Sequence, residues 1–233
     1  MEFLRTIMGD FVKVVNGSTP LLIDGLQMTV IVSIASIVIG LIVGLVACLM
    51  KMSKLAPVRG IAHFYIWVIR GTPMIVQAFF IYFGINEVIS SVIQGFRLDV
   101  MSASILTVSL NAGAYLAEIY RGGINAVPKG QTEAARSLGL TQGKTMRKIV
   151  LPQAVRISIP AMVNQFIITI KDTSILSVIG LSELTNQTKV YAGATYKYFA
   201  SYIYVGFWYL AIISVLMLIS RKVEKSISYE RKN

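Results

Sequence analysis

Residues 133–152 read EAARSLGLTQGKTMRKIVLP, and this stretch decides how the chain is organised. It is a basic segment set between two long apolar runs. Gln131–Leu138 is rich in good helix formers, and Gly139 is placed to end a helix as its left-handed cap. Thr141 is suited to cap a second helix over Gln142–Val150, which Leu151-Pro152 is expected to stop. Two short helices joined at a glycine make a compact knob, and Ala134-Ala135 offers it a small, close-packing face.

The rest of the chain sets the knob in a membrane. The 233 residues are 55% hydrophobic and 14% charged, with mean hydropathy +0.68. Soluble domains run nearer a quarter charged, and here the excess apolar residues are gathered into long uncharged runs. Five spans are expected: about 26–50, 73–89, 100–119, 160–181 and 199–220. The first carries Gly40 and Gly44 in a small-xxx-small pattern, with Ser33, Ser36 and Ala47 nearby. Before the second, Arg70-Gly71-Thr72-Pro73 breaks the apolar run, because proline disfavours a helical residue before it and lacks a donor. Residues 58–69 then form a partly buried approach helix. Pro160 suits the first turn of the fourth span. Residues 3–15 place Phe3, Leu4, Ile7, Phe11, Val14 and Val15 roughly on one face and are expected to lie along the membrane surface. No secretory signal is read here, since Glu2, Arg5, Asp10 and Lys13 interrupt the apolar residues.

Charge gives the direction. Lys51, Lys54 and Arg59 follow the first span, seven Lys/Arg lie between 121 and 156 against Glu133 alone, and five more follow from Arg221. The other side has five bases against six acids. The positive-inside rule places the N-terminus outside, and the 121–157 loop and the C-terminus in the cytoplasm. The net charge of +11 is thus a membrane-flank charge. No basic helix or aromatic-basic stripe speaks for nucleic acid. Cys48 and His63 have no metal-ligand neighbours and read as packing residues, so no metal site is expected. The run Gly139-Leu-Thr-Gln-Gly143-Lys144-Thr145 is one residue short of a phosphate-binding loop and follows no strand, so ATP binding by this chain is not expected.

The pattern Glu133-Ala134-Ala135, Gly139, Ile149-x-Leu151-Pro152 resembles the EAA loop of ATP-binding-cassette importer permeases. Three further segments resemble the polar amino-acid (HisM/GlnP-like) permease family. They are Arg70-Gly71-Thr72-Pro73 with Gln77, Ala114-Tyr115-x-Ala117-Glu118-x-x-Arg121-Gly122, and Lys171-Asp172-Thr173-Ser174. In the last, Ile175 replaces the family's leucine. Together they cover about residues 20–220.

The resemblance implies an all-α integral membrane protein with the MetI-like permease fold, a single transmembrane domain over 1–233, multi-pass in the cytoplasmic (inner) membrane of a prokaryote. It implies half of an ATP-driven amino-acid importer. The partners would be an ATPase subunit at the cytoplasmic face, an extracytoplasmic amino-acid-binding protein, a second permease copy or homologue, and membrane lipid. ATP and magnesium would belong to the partner ATPase, with no cofactor on this chain. Glu133, Ala134, Ala135, Gly139, Ile149, Leu151 and Pro152 would couple to that ATPase.

Lys171 and Asp172 fall about eleven residues into the fourth span, near mid-bilayer at roughly 1.5 Å per residue. Intramembrane charges face a cavity or a partner. Either they meet the amino or carboxylate group of a zwitterionic substrate, or they pair with Arg70 or Glu118 to hold the bundle. The pathway candidates are Lys171, Asp172, Thr173, Ser174, Asn164, Gln165, Tyr115, Glu118 and Gln77, with Arg70, Gly71 and Pro73 structural. An i,i+3 pair with Arg121 explains Glu118 equally well. The aromatics of 191–209 read as an outer interfacial belt. The rival function, an ion-coupled carrier or channel, would show inverted halves with paired broken helices, and no such repeat is visible. A membrane-embedded enzyme would need a constellation such as HExxH or paired aspartates, and none is present in the spans.

Overall fold

The computed structural model describes residues 2–230, with side chains from Arg5 to Lys225 except Val223. The described chain is almost wholly helical. Its helices are α1 (Glu2–Lys51), α2 (Ala56–Gly71), α3 (Met74–Phe79), α4 (Ile85–Val92), α5 (Val100–Asn125), α6 (Lys129–Ser137), α7 (Gln142–Thr145), α8 (Leu151–Asp172), α9 (Leu184–Thr195) and α10 (Tyr198–Glu230). Wide π-turns join α3 to α4 at Phe80–Gly84 and α7 to α8 at Met146–Val150, and a 3-10 helix, Thr173–Ile179, continues α8. Among the described residues five helical runs are long and apolar enough to cross a membrane: Arg5–Lys51, Met74–Val92, Val100–Asn125, Gln142–Ile179 and Tyr198–Lys222.

The core is built on close approach of small residues. Along α1 the buried positions recur at helical spacing, among them Val14, Ser18, Leu22, Gly25, Thr29, Ser33, Ser36, Gly40, Gly44 and Ala47. Most are small. The intervening Ile31, Ile34, Val38, Ile42, Leu45 and Leu49 are exposed and form the lipid-facing side. The small stripe seats α1 against α5. A Cβ at Gly40 would stand 3.2 Å from the Ala112 methyl, and one at Gly44 would stand 2.7 Å from Leu116 Cβ and 2.9 Å from the Gly113 carbonyl. The sequence pattern at Gly40 and Gly44 is therefore a helix–helix contact. Tyr65 of α2 closes the same seam by donating to the Leu110 carbonyl at 2.6 Å.

Four sequence expectations about boundaries change. Residues 3–15 do not form a separate surface helix, because α1 runs unbroken through Pro20. Its buried stripe keeps phase into the N-terminal half, where Gly17 packs on Tyr191 and Gly25 on Leu184. Tertiary contact with α9 overrides the polar interruptions. The side chains of Phe3 and Leu4 lie outside the described residues, as do the bases at 231 and 232. Leu151-Pro152 does not stop the second loop helix, and Pro160 does not begin a span. The helical run passes from Gln142 through both prolines. A proline ring clashes with the carbonyl four residues back, and the wide turn at Met146–Val150 makes room before Pro152. The last span likewise continues past residue 220 within α10.

The break at Thr72-Pro73 is as expected. α2 ends there in extended backbone, and α3 starts after Pro73. Of the two packing residues, Cys48 is buried, whereas His63 stands on the exposed face of α2. Outside the spans, Asp99 caps α5. The Ser102 hydroxyl and amide donate to it at 2.6 and 3.0 Å and hold its carboxyl below the usual carboxylate range. The aromatics of 191–209 are only partly an outer belt. Tyr196, Tyr198 and Tyr202 are exposed. Tyr204 bonds Thr19 at 2.8 Å, and Tyr209 donates to the buried Glu183 at 2.9 Å, so these two seal α10 against α1 and α9.

Gly44→Ala is expected to destabilise the chain by about 1–3 kcal/mol, the usual cost of overpacking. Its thermal midpoint in detergent should fall, while Gly60→Ala, whose Cβ meets nothing within 4 Å, leaves the midpoint unchanged or slightly raised. Equal midpoints for both variants would remove the α1–α5 seam as the basis of the fold.

Candidate functional site

A polar cleft of about 420 Å³ opens where the α2–α3 break meets α5 and α8, lined by Thr72, Pro73, Met74, Asn111, Tyr115, Gln165, Ile168 and Asp172. Helical spacing builds two of its walls. Gln165, Ile168 and Asp172 stand at i, i+3 and i+7 on α8, hence on one face, and Asn111 and Tyr115 at i, i+4 on α5. The third wall is the broken helix itself, and a buried amide holds it in place. Gln77 Nε2 donates to the carbonyls of Ile69 and Thr72 at 2.7 and 3.1 Å and to the Thr72 hydroxyl at 2.9 Å. Its Oε1 accepts from Asn111 Nδ2 at 3.0 Å. The carbonyls freed by Pro73 are thus satisfied by a side chain, as a dry interior demands. Arg70, on the last turn of α2, lies over the Tyr115 ring at 5.1 Å, so a cation stands beside the cleft.

The pathway candidates divide accordingly. Gln165, Asp172 and Tyr115 line the cleft, while Gln77 braces its wall from behind. Lys171 is exposed and Asn164 is exposed, and neither reaches the cleft. Thr173 is buried, donating to the Ile170 carbonyl at 2.7 Å, and Ser174 donates to the Lys171 carbonyl at 2.6 Å. Adjacent residues on a helix point about 100° apart, so Lys171 and Asp172 face different surroundings.

Glu118 does not line this cleft. It pairs with Lys51 at the end of α1, and Arg121 donates to it through Nε at 3.1 Å and Nη2 at 2.7 Å. The i,i+3 pair is present, with Lys51 as the partner the sequence did not indicate. This triad also means that neither Lys171 nor Asp172 pairs with Glu118. Asn111, Thr72, Met74 and Ile168 were not singled out from sequence as site residues. Asn111 had a signal, being an amide inside an apolar span one turn from Tyr115.

At the far end of the same helical run sits the 121–157 loop. Val127, Val150 and Ala154 pack together and anchor it. α6 closes in a left-handed turn at Gly139, φ +83°. Leu140 N–H donates to the Ala135 carbonyl at 3.1 Å and Gly139 N–H to that of Arg136 at 3.0 Å, the paired bonds of a Schellman cap. Thr141 caps α7 as expected, accepting from Lys144 N–H at 3.4 Å. Of the alanine pair, only Ala135 is buried. Glu133 and Ala134 are exposed, and so is Leu138 (82%), one turn beyond Ala134. Ile149 is half-buried in the wide turn, and Leu151 and Pro152, both exposed, open α8.

A multi-pass helical bundle with a polar cleft at a helix break and an exposed helical knob on one loop is the architecture of a membrane permease subunit. The family of binding-protein-dependent transport system inner membrane components matches residues 19–229, and the chain belongs to that family. The arginine transport system permease protein ArtQ of Bacillus subtilis (strain 168) is 39% identical over 208 residues, 89% of this chain and 93% of that protein. The glutamine transport system permease protein GlnP of Escherichia coli (strain K12) is 38% identical over 206 residues, 88% of this chain and 92% of that protein. A crystal structure of an amino acid ABC transporter with histidines superposes with a TM-score of 0.87 at 39% identity, covering 93% of this chain and 98% of that one. The inward-facing MetNI methionine ABC transporter shares the fold, with a TM-score of 0.75 at 17% identity over 90% and 97% of the two chains.

Glu118→Gln leaves Lys51 and Arg121 competing for a neutral amide and is expected to cost about 1–3 kcal/mol. Thermal unfolding in detergent should show Glu118→Asp recovering part of that loss. A Glu118→Gln midpoint equal to native would mean the triad does not tie α1 to α5.

Proposed function

We infer that this chain is the transmembrane permease subunit of an ATP-driven amino-acid importer. It forms half of the translocation pathway and is driven by a separate ATPase. The observation that carries this reading is the continuity of the run Gln142–Ile179, which starts at the exposed knob and ends beside the cleft. A displacement of the knob is delivered along one rod to the wall carrying Gln165, Ile168 and Asp172. The relatives named as amino-acid permeases support the same substrate class.

In this function the knob seats on the ATPase. Ala134 and Leu138 present an apolar contact one turn apart, with Glu133 beside them and Gly139 fixing the angle between α6 and α7. Val127, Val150 and Ala154 hold the knob on the rod, and buried Ala135, with Ile149, Leu151 and Pro152, completes the coupling surface around it. Magnesium and ATP belong to the ATPase partner. An extracytoplasmic binding protein delivers the amino acid, and a second copy or a homologue completes the pathway. The charge distribution orients the chain with its N-terminus outside and the knob in the cytoplasm of a prokaryotic cell. In the cleft, Asp172 receives the substrate ammonium group, and Arg70 beside Tyr115 attracts its carboxylate. Binding protein and ATP drive the cycle only through different affinities for the inward-open and outward-open states.

The test is co-purification with the cognate ATPase and ATP hydrolysis by the complex, comparing native chain with Glu133→Lys and Gly139→Pro. Both variants are expected to lose ATPase binding or coupled hydrolysis by tenfold or more, about 1.4 kcal/mol. Binding and turnover equal to native in both would remove the knob as the lever.

A further inference from the structure

We propose that the cleft selects amino acids with an uncharged, hydrogen-bonding side chain over cationic, acidic and apolar ones. This rests on the reading of the cleft as the amino-acid site and adds the side-chain class.

The first support is the charge balance. Asp172 is the one carboxylate lining the cleft among the described residues, and Arg70 is the cation standing beside it. A zwitterion's ammonium and carboxylate match these two and leave no charge over. Lys171 is turned outward, and Glu118 is already held by Lys51 and Arg121. A guanidinium or ammonium side chain would therefore enter without a second carboxylate, and an acidic one without a second cation. Burying an unpaired charge is among the most costly steps in protein chemistry.

The second support is a pair of buried amides facing the same space. Gln165 is 5% exposed, and its side-chain amide has no hydrogen-bond partner among the described residues. Asn111 is 7% exposed. Its Nδ2 is committed to Gln77, which leaves Oδ1 without a partner among the described residues. The cleft thus offers a donor and acceptor on Gln165 and an acceptor on Asn111. A carboxamide or hydroxyl side chain satisfies such a set, whereas an apolar one covers the amides without pairing them. At about 420 Å³ the space is within the range of small-ligand sites, roughly 300–1,000 Å³.

The experiment is equilibrium dialysis of the full chain in lipid nanodiscs with radiolabelled glutamine, arginine, glutamate and leucine. Native chain is expected to bind glutamine at least about tenfold tighter than the other three. Gln165→Glu should move the preference to arginine, and Asp172→Asn should abolish binding of all four. Gln165→Leu, a shape-conserving control, should lose the preference for glutamine over leucine. Arginine, glutamate or leucine binding native chain as tightly as glutamine, with binding still lost in Asp172→Asn, overturns the side-chain class and leaves the cleft reading standing. Binding untouched by Asp172→Asn, or no binding of any of the four to native chain, overturns the cleft reading and this inference with it. The comparison on native chain decides the class even where a variant does not fold.

Discussion

Everything in this structure depends on how closely α1 can approach α5. Once a chain this apolar is in lipid, the hydrophobic effect no longer draws its helices together, since lipid tails are as apolar as leucine. What remains is short-range packing and hydrogen bonding, and both need the backbones near one another. Gly40 and Gly44 supply that nearness. At Gly44 even a methyl would meet Leu116 Cβ and the Gly113 carbonyl at under 3 Å. The approach brings Tyr65 to the Leu110 carbonyl and Lys51 to Glu118. It also sets α5 as the fixed wall from which Asn111 and Tyr115 face the cleft.

Against that fixed wall stand two interrupted helices. At Pro73 the backbone leaves helical geometry, and Gln77 answers by taking up the freed carbonyls. Irregular backbone in a membrane is tolerated where it lines a cavity, as Thr72 and Pro73 do here. The cleft exists because the break widens the bundle beside it. On the other side, the wide turn at Met146–Val150 makes room for Pro152, and the helical run continues through Pro160. One interruption makes space, and the other preserves continuity.

The fold was legible from sequence to the extent that lipid enforces it. Long uncharged runs, the Arg70–Pro73 break and the Gly139 cap each express a single-residue constraint, and each stands where the residues indicated. The misplaced boundaries share one cause. Pro152 and Pro160 disfavour helix in isolation, yet the run continues through both; a wide turn makes room before Pro152, and no local residue pattern announces it. The N-terminal half of α1 likewise looked like a surface helix because its contacts with α9 come from residues far along the chain (Gly17 with Tyr191, for instance). In the site, Gln165, Asp172 and Tyr115 were visible as polar or aromatic groups in apolar spans. Whether Glu118 belonged with them could not be read, since its second partner, Lys51, sits on another helix. Ile168 carries no polar signal and enters the site only through the face it shares with its neighbours.

The knob and the cleft are thirty residues apart along one run, Gln142 to Asp172, or roughly 45 Å at helical rise. A rod of that length transmits a displacement only if it resists bending, and the wide turn at Met146–Val150 is its weakest point. That turn is also where α6 packs. The knob is therefore packed on the rod at the turn that precedes Pro152. Rigidity alone moves no equilibrium. In the proposed function the rod couples only through an ATPase that holds the knob differently in two states, one favouring each arrangement of the cleft. The two walls follow from two packing solutions the sequence encodes: glycines that seat α1 closely on α5, and a helical run that continues from Gln142 through both prolines.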